Sequence, residues 1–293
     1  MTEQIVTYHI DKVSFSLKEK VCFNWLTNLG CVFVVFDEQD SGNICFGVEQ
    51  GGQKKFVKFA GVKTLNYSGD STDAAARLIR AIPVYNDLKH PNVINLLDHF
   101  KVDAGYVAVF DWFEGENLHP HWIYPPPAKY IDPNSPFYKY KRLTLQQRME
   151  SLDKLFSFHV FIESKGYVAI DFYDGSILYD FNRHETRICD IDFYEKKPYI
   201  NSMGRMWGSS RFMSPEEYEL GAAIDSRTNV FNMGASAFVL LGGELDRSFE
   251  KWEASHELYQ VACKAIDADR NQRYQSLSEF YKAWNEVRNG MTV

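Results

Sequence analysis

Two aspartates in the second half of the chain sit in the same four-residue setting. Asp171 lies in Ile-Asp-Phe-Tyr, and Asp192, twenty-one residues later, lies in Ile-Asp-Phe-Tyr again. The residues between them read as a short hairpin, with Ser176–Tyr179 as one strand, Asp180–Glu185 as the turn and Thr186–Cys189 as the return strand. A hairpin of this kind carries the carboxylates at its two ends to one side. One can then handle a hydroxyl proton while the other holds a divalent metal. Aspartates at strand ends are equally at home as plain turn residues, so the pair takes its meaning from the rest of the chain.

A third candidate is Lys58, in Phe-Val-Lys-Phe. An ammonium pointing inward between Val57 and Phe59 is costly unless an anion meets it. The competing reading is a solvent-facing lysine like Lys54 or Lys55. The elements that must position these groups are legible. Cys31–Phe36, Ile44–Val48 and Lys55–Phe59 read as strands, the last two joined by a Gly51-Gly52 turn. Asn95–Phe100 and Tyr106–Phe110 form a further pair. Between them, Ser71–Leu88 is helix material that Pro83 should kink or end near Ile82. Thr144 and Gln147 form a capping box for a helix to about Ser164, with Leu145, Met149, Leu152, Leu155, Phe156 and Val160 on its buried face and His159 beside them as a packing residue. Val230–Leu241 is apolar nearly all round, as a helix inside a core must be.

Residues 119–142 are rich in proline and aromatics and show neither period; Pro125–Pro127 favours polyproline II. The stretch reads either as an ordered insertion whose tyrosines pack on the helical part, or as a docking loop.

Composition bounds the answer. A chain of 293 residues with 45% hydrophobic residues can bury one large core or two. A formal charge of −7 speaks against a nucleic-acid-binding surface. Five scattered cysteines without a Cys-x-x-Cys pair fit buried thiols in a reducing compartment better than disulfides or zinc. No apolar run approaches eighteen residues and the N-terminus lacks a signal pattern, so the expectation is a cytoplasmic protein without membrane partners.

Four ordered segments carry a family resemblance. They are Lys89-His-Pro-Asn-Val-Ile94, Gly208-Ser-Ser-Arg-Phe-Met-Ser-Pro-Glu216, Asp225-Ser-Arg-Thr-Asn-Val-Phe-Asn-Met-Gly234 and Asp267-Ala-Asp-Arg-Asn-Gln-Arg-Tyr274. With Lys58, Asp171 and Asp192, they resemble the protein kinase superfamily over about residues 24–289, most closely a divergent bacterial eukaryotic-like serine/threonine kinase. The resemblance implies an α+β, two-lobed fold: a small antiparallel-sheet lobe over residues 1–111 and a larger, mainly helical lobe over residues 112–293. It implies ATP and Mg2+ as cofactors, and a nucleotide and a protein substrate as partners. Asp171 would orient the substrate hydroxyl, and Asp192 would ligate magnesium. Lys58 would meet the phosphates, with Gly30 in the place of the first glycine of the glycine-rich loop. Phe110 would be the gatekeeper, and the backbones of Asp111 and Phe113 would hold the adenine edge. Arg273 would pair with Glu216.

The chain also departs from the pattern. Ala169 and Ile170 replace His and Arg, so no arginine stands ready to grip an activation-loop phosphate. Tyr173 stands at a lysine position and Tyr194 at a glycine. Ser176 stands where the metal-binding asparagine belongs, with Asp174 as the substitute metal ligand. The position of the lysine-pairing glutamate falls at or near Ala81, with no glutamate from Gly61 to Leu97. The first hairpin tip carries Asp37, Glu38 and Asp40. Three functions remain open: an ATP- and Mg2+-dependent phosphotransferase acting on Ser/Thr hydroxyls of a protein, a pseudokinase serving as a binding or regulatory module, and a small-molecule kinase whose loop is Asp-x-x-x-Gly-Ser over residues 171–176.

Overall fold

A computed structural model describes residues 5–290. The chain divides into two compact units. One comprises residues up to Lys89 together with Ile94–Phe113; the other comprises His90–Val93 and the chain from Glu114 onward.

The first unit is built on a five-stranded antiparallel sheet. A hairpin of β1 (Val6–Ile10) and β2 (Val13–Leu17) precedes it. The sheet itself contains β3 (Cys31–Phe36), β4 (Asn43–Gln50) and β5 (Gln53–Ala60), followed by helix α1 (Ser71–Asp87) and strands β6 (Leu96–Val102) and β7 (Gly105–Asp111). Its order is β3-β4-β5-β7-β6. Period-two alternation sends Val57 and Phe59 to one face, into a core with Phe15, Phe23, Leu26, Ile44 and Phe46. Aromatic pairs knit that core; Phe23, for example, meets Phe46 edge-on at 5.7 Å. The β1–β2 hairpin has no Asn-Gly signature and was not expected. Its turn residue Asp11 adopts φ 49° and its carboxylate accepts from the Val32 N–H at 2.7 Å, tying the hairpin to the start of β3.

Helix α1 covers the sheet's other face. It runs through Pro83 to Asp87 instead of ending near Ile82. Pro83 lies on the solvent side, while Ala81, Ile82, Val84 and Tyr85 on either side of it are buried and hold the helix to the sheet. Packing outweighs one lost hydrogen bond.

The second unit is mainly helical. A short strand β8 (Glu116–Asn117) is followed by α2 (Ala128–Ile131), α3 (Pro136–Tyr140) and the long α4 (Leu145–Ser164). Both halves of the Thr144–Gln147 capping box are formed. Strands β9 (Tyr167–Val168), β10 (Ile177–Asp180) and β11 (Glu185–Ile188) follow, with β10 pairing both β11 and β8. Next come β12 (Glu195–Lys196), β13 (Tyr199–Ile200) and β14 (Ala223–Ile224), then helices α5 (Ser226–Leu241), α6 (His256–Ala265) and α7 (Leu277–Gly290). Every residue of α5 from Thr228 to Leu241 is buried. No described helix is long and apolar enough to cross a membrane.

The insertion is ordered. Phe137 and Tyr140 are buried, and Tyr140 meets Tyr179 edge-on at 5.2 Å. Pro125–Pro127 does not form polyproline II: Pro127 is in the right-handed helical region and leads into α2.

Two carboxylates beside each other at the end of the Ser-Pro-Glu segment show how burial is managed. Glu216 accepts from both terminal nitrogens of Arg273, at 2.7 and 3.0 Å, and from the Thr228 hydroxyl. Burial pushes its carboxyl up, but the guanidinium outweighs this and holds it below the ordinary value. Glu217 is paired with no cation. It accepts from the Ser214 N–H and hydroxyl and from Asn232, and burial pushes it up to about 7 against these hydrogen bonds.

Two outcomes are expected. Replacing the exposed Pro83 by alanine restores a helical N–H, so Pro83→Ala should raise unfolding free energy by about 1–2 kcal/mol in urea melts, once the looser unfolded chain is allowed for. The raised Glu217 pKa means the folded state binds its proton more tightly than the unfolded chain. Its stabilising contribution is therefore complete below about 4.5 and lost as pH rises through about 7. Half-buried His119 and buried His159, both lowered to about 4, act in the opposite direction between there and 6.5. The difference between wild type and Glu217→Gln isolates the carboxyl: Gln should gain up to about 3 kcal/mol relative to wild type between pH 4.5 and 8. A flat difference across that range would remove the buried-acid interpretation.

Candidate functional site

The loop after α4 is fixed from both sides. The Ala169 N–H donates to the Asn229 side chain (2.9 Å), whose amide in turn donates to the Tyr167 carbonyl (3.1 Å), so α5 grips the loop by its backbone. Ala169, Ile170 and Phe172 are buried. Between them Asp171 is only partly buried, in the left-handed region at φ 61°. A non-glycine residue held there is strained and persists only because its neighbours over-determine it. Gly208 lies against it: a Cβ added there would stand 3.7 Å from the Asp171 Cα. This brings the segment leading to Ser-Pro-Glu alongside the loop.

The hairpin closes with Ile188 opposite Ile177, and the Cys189 N–H donates to the Ser176 carbonyl at 3.0 Å. The chain leaves the return strand at this point, so Asp190 is the first carboxylate beyond it. Asp171 and Asp190 act on the same two side chains. After burial itself, their charges are the leading causes that raise the phenols of Tyr173 and Tyr194. Asp190 thus lies near the same two phenols as Asp171, two residues ahead of the expected Asp192. Asp192 lies past the buried Ile191, with its own N–H 3.4 Å from the Asp190 carboxylate.

Tyr194 is fully enclosed and bonded to His159 Nε2 at 2.9 Å, while His159 Nδ1 meets the Leu155 carbonyl at 2.7 Å. The carbonyl can only accept, so Nδ1 carries the proton and Nε2 accepts from the phenol. Burial holds this imidazole neutral, with its pKa lowered to about 4. Tyr194 thus anchors the segment after Asp190.

Asp174 is not placed to ligate metal. Its buried carboxylate accepts from Lys129 Nζ at 2.5 Å and from both terminal nitrogens of Arg211 at 2.7 Å. Glu244 completes the group, 3.2 Å from Arg211 and 3.6 Å from Lys129. Burial alone would push Asp174 up; the two cations outweigh it and hold the carboxyl below its ordinary value. Two positive charges at bonding distance leave no favourable place for a third cation. Ser176 differs: it is buried and its Oγ has no hydrogen-bond partner. This orphaned hydroxyl oxygen and the Asp190 carboxylate just past the hairpin are the groups that would hold a magnesium ion. Among the described residues no three His, Cys, Asp or Glu side chains form a ready cage.

In the first unit, Lys58 lies on β5 between Cys45 and Ala108, on the face opposite Val57 and Phe59, and is 9% exposed. It is a buried lysine on the α1 side of the sheet, not a solvent-facing one. Phe110, two pairs along, meets Tyr85 of α1 edge-on at 4.8 Å. Ala81 on α1 is fully buried. The Asp111 N–H donates to the Asn95 carbonyl at 3.0 Å, so Asp111 has at most its carbonyl oxygen to offer an adenine edge. Phe113 is the last residue of this unit.

Gly30 is not at a phosphate loop. It precedes β3, and at φ 135° a Cβ would stand 2.5 Å from the Glu49 carbonyl oxygen, so its role is close backbone approach. The hairpin tip is one strand away, roughly 20 Å for six residues. There the glycine is Gly42, which packs against Tyr67 and Ala74. The tip is tied down. Arg77 donates to the Ser41 carbonyl at 2.7 Å and Thr64 to the Gln39 carbonyl.

Sequence comparison bears on this arrangement. The protein kinase domain family matches residues 42–288. Serine/threonine-protein kinase 36 of Pongo abelii is 33% identical over 78 residues and that of Mus musculus 34% over 76; each match covers 26% of this chain and 6% of the relative. The matched stretch is thus a small part of those much longer proteins. The family match begins at Gly42 and runs through the lysine strand, the Asp171 loop, the Glu216–Arg273 pair and α7, and the chain belongs to the protein kinase domain family.

Proposed function

We propose that this chain is an ATP- and magnesium-dependent phosphotransferase that acts on serine or threonine hydroxyls of a protein. The observation that carries the reading is Asp171 on its left-handed turn, its loop gripped by Asn229 and Gly208 packed against it. Asp171 orients the substrate hydroxyl and accepts its proton as that oxygen bonds to the γ-phosphorus of ATP, the bond from the γ-phosphorus to the β-phosphate oxygen breaks and ADP leaves. Asp190 and Ser176 would hold magnesium, which supplies charge neutralisation for phosphate when bound. Lys58, a buried ammonium, is the first unit's candidate for phosphate. The two partial relatives, both serine/threonine-protein kinases, favour Ser/Thr over other acceptors.

A second reading, a pseudokinase, is favoured by the hairpin tip. Asp37, Glu38 and Asp40 surround a loop tied down through Ser41 and Gln39, where a phosphate clamp would be glycine-rich and uncharged.

The two readings separate in one set of measurements on wild type, Asp171→Asn, Asp190→Asn and Asp192→Asn. Mg2+-ATP at about a hundred times its Kd should stabilise the wild type by roughly 2.7 kcal/mol. Asp171→Asn should keep that stabilisation while phosphate transfer to a protein acceptor falls by about 100-fold or more. Asp190→Asn should lose the magnesium-dependent part, and Asp192→Asn should keep it. Absence of any nucleotide stabilisation in the wild type would hand the case to the pseudokinase. Loss in Asp192→Asn but not Asp190→Asn would reverse the assignment of the metal carboxylate.

A further inference from the structure

Four charged side chains from four separate segments meet inside the second unit. Lys129 comes from α2 of the insertion, Asp174 from the Asp171 loop, Arg211 from the segment ahead of Ser-Pro-Glu, and Glu244 from the turn after α5. Their formal charges sum to zero. Lys129 is fully buried, its ammonium lying 4.1 Å from the Phe137 ring centroid as well as 2.5 Å from Asp174. The insertion is folded around its delivery. Ser135 donates to the Lys129 carbonyl at 2.8 Å, and the neighbouring Tyr130 donates to Glu244 at 2.9 Å. Arg211 meets Asp174 in a two-pronged pair, a geometry that fixes direction as well as distance.

Asp174 lies three residues past Asp171, and Gly208, which rests on Asp171, lies three residues before Arg211. The ion cluster therefore joins the two stretches of chain that flank the candidate catalytic carboxylate. Ile170, buried where a phosphate-gripping arginine would stand, cannot serve that purpose. We propose that Lys129 and Arg211 are positioning residues. Through Asp174 they lock the loop of residues 171–176 to residues 203–213 with charges built into the chain, so that ordering this segment needs no added phosphate group. The kinetic consequence rests on the phosphotransferase reading; the lock itself does not.

The test uses the full chain, untreated and phosphatase-treated, as wild type, Lys129→Met, Lys129→Arg, Arg211→Lys and Asp171→Asn. Hydrogen–deuterium exchange is followed by peptide. Treated wild type should keep residues 170–176 and 203–213 as protected as untreated protein. Lys129→Met should speed exchange there at least tenfold while α4 and α5 exchange at wild-type rates, and Lys129→Arg should restore protection. If Lys129→Met does not fold, Arg211→Lys, which keeps the charge and breaks the two-pronged geometry, carries the same measurement. In phosphate-transfer assays, kcat should fall at least tenfold with KM for ATP within twofold. Three results would overturn the proposal: exchange rising uniformly through the unit, exchange unchanged at both stretches, or phosphatase treatment alone opening residues 203–213. Turnover indifferent to Asp171→Asn would instead remove the phosphotransferase reading, and the exchange data would still decide the lock.

Discussion

Asp174 is a carboxylate taken wholly out of water, three residues past Asp171. Left alone it would take up a proton or cost several kcal/mol. Lys129 and Arg211 make its charge tolerable, and Glu244 keeps two cations from facing one anion. Much of the second unit follows from meeting this requirement. Helices α2 and α3 are four and five residues long, far below the length at which a helix holds itself together. They exist because Phe137 and Tyr140 are buried and because Lys129 must reach inward. Removing one member of such a group is far more damaging than never having built it, since the partners stay buried with unbalanced charge.

The same requirement separates what the sequence discloses from what it hides. Features set by neighbours along the chain were legible: the Gly51-Gly52 turn, the Thr144–Gln147 capping box, the apolar wrap of α5 and the hairpin between β10 and β11. The ion cluster joins residues 45 and 37 positions apart in sequence, and nothing local marks Lys129 as its cation. The insertion lacked period for the same reason, its order coming from contacts with distant residues. The β1–β2 hairpin, by contrast, alternates clearly in Val13–Leu17; the Asp11-Lys12 turn is what obscured it.

Register bears on two of the expected site residues. In Cys-Asp-Ile-Asp, Asp190 and Asp192 are two apart and share a face by alternation, so pattern alone does not choose between them. The repeated Ile-Asp-Phe-Tyr drew attention to the second. The pairing of Ile188 with Ile177 makes Asp190 the first carboxylate past the strand, which supports it as the proposed metal ligand. Gly30 and Gly42 differ in the same way. Both have positive φ, but one opens a strand and the other lies at the tip that the strand leads to.

That tip sets the remaining physical question for the first unit. A glycine-rich loop binds phosphate by offering bare backbone N–H groups and by closing over them. Here the tip presents three carboxylates and is fastened through Arg77 and Thr64, so it has neither the charge nor the freedom for that work. Any hold on a triphosphate in this unit has to come from a point charge, and Lys58 is a buried one on the α1 side of the sheet. A point charge attracts without fixing geometry, whereas the Asp171 loop in the second unit is constrained by Asn229, by the buried Phe172 and by the Asp174 cluster. Precision in this protein is therefore concentrated around Asp171, the proposed hydroxyl-handling carboxylate. On the proposed phosphotransferase reading, nucleotide affinity resting on one lysine and a metal should be modest and strongly dependent on divalent cation.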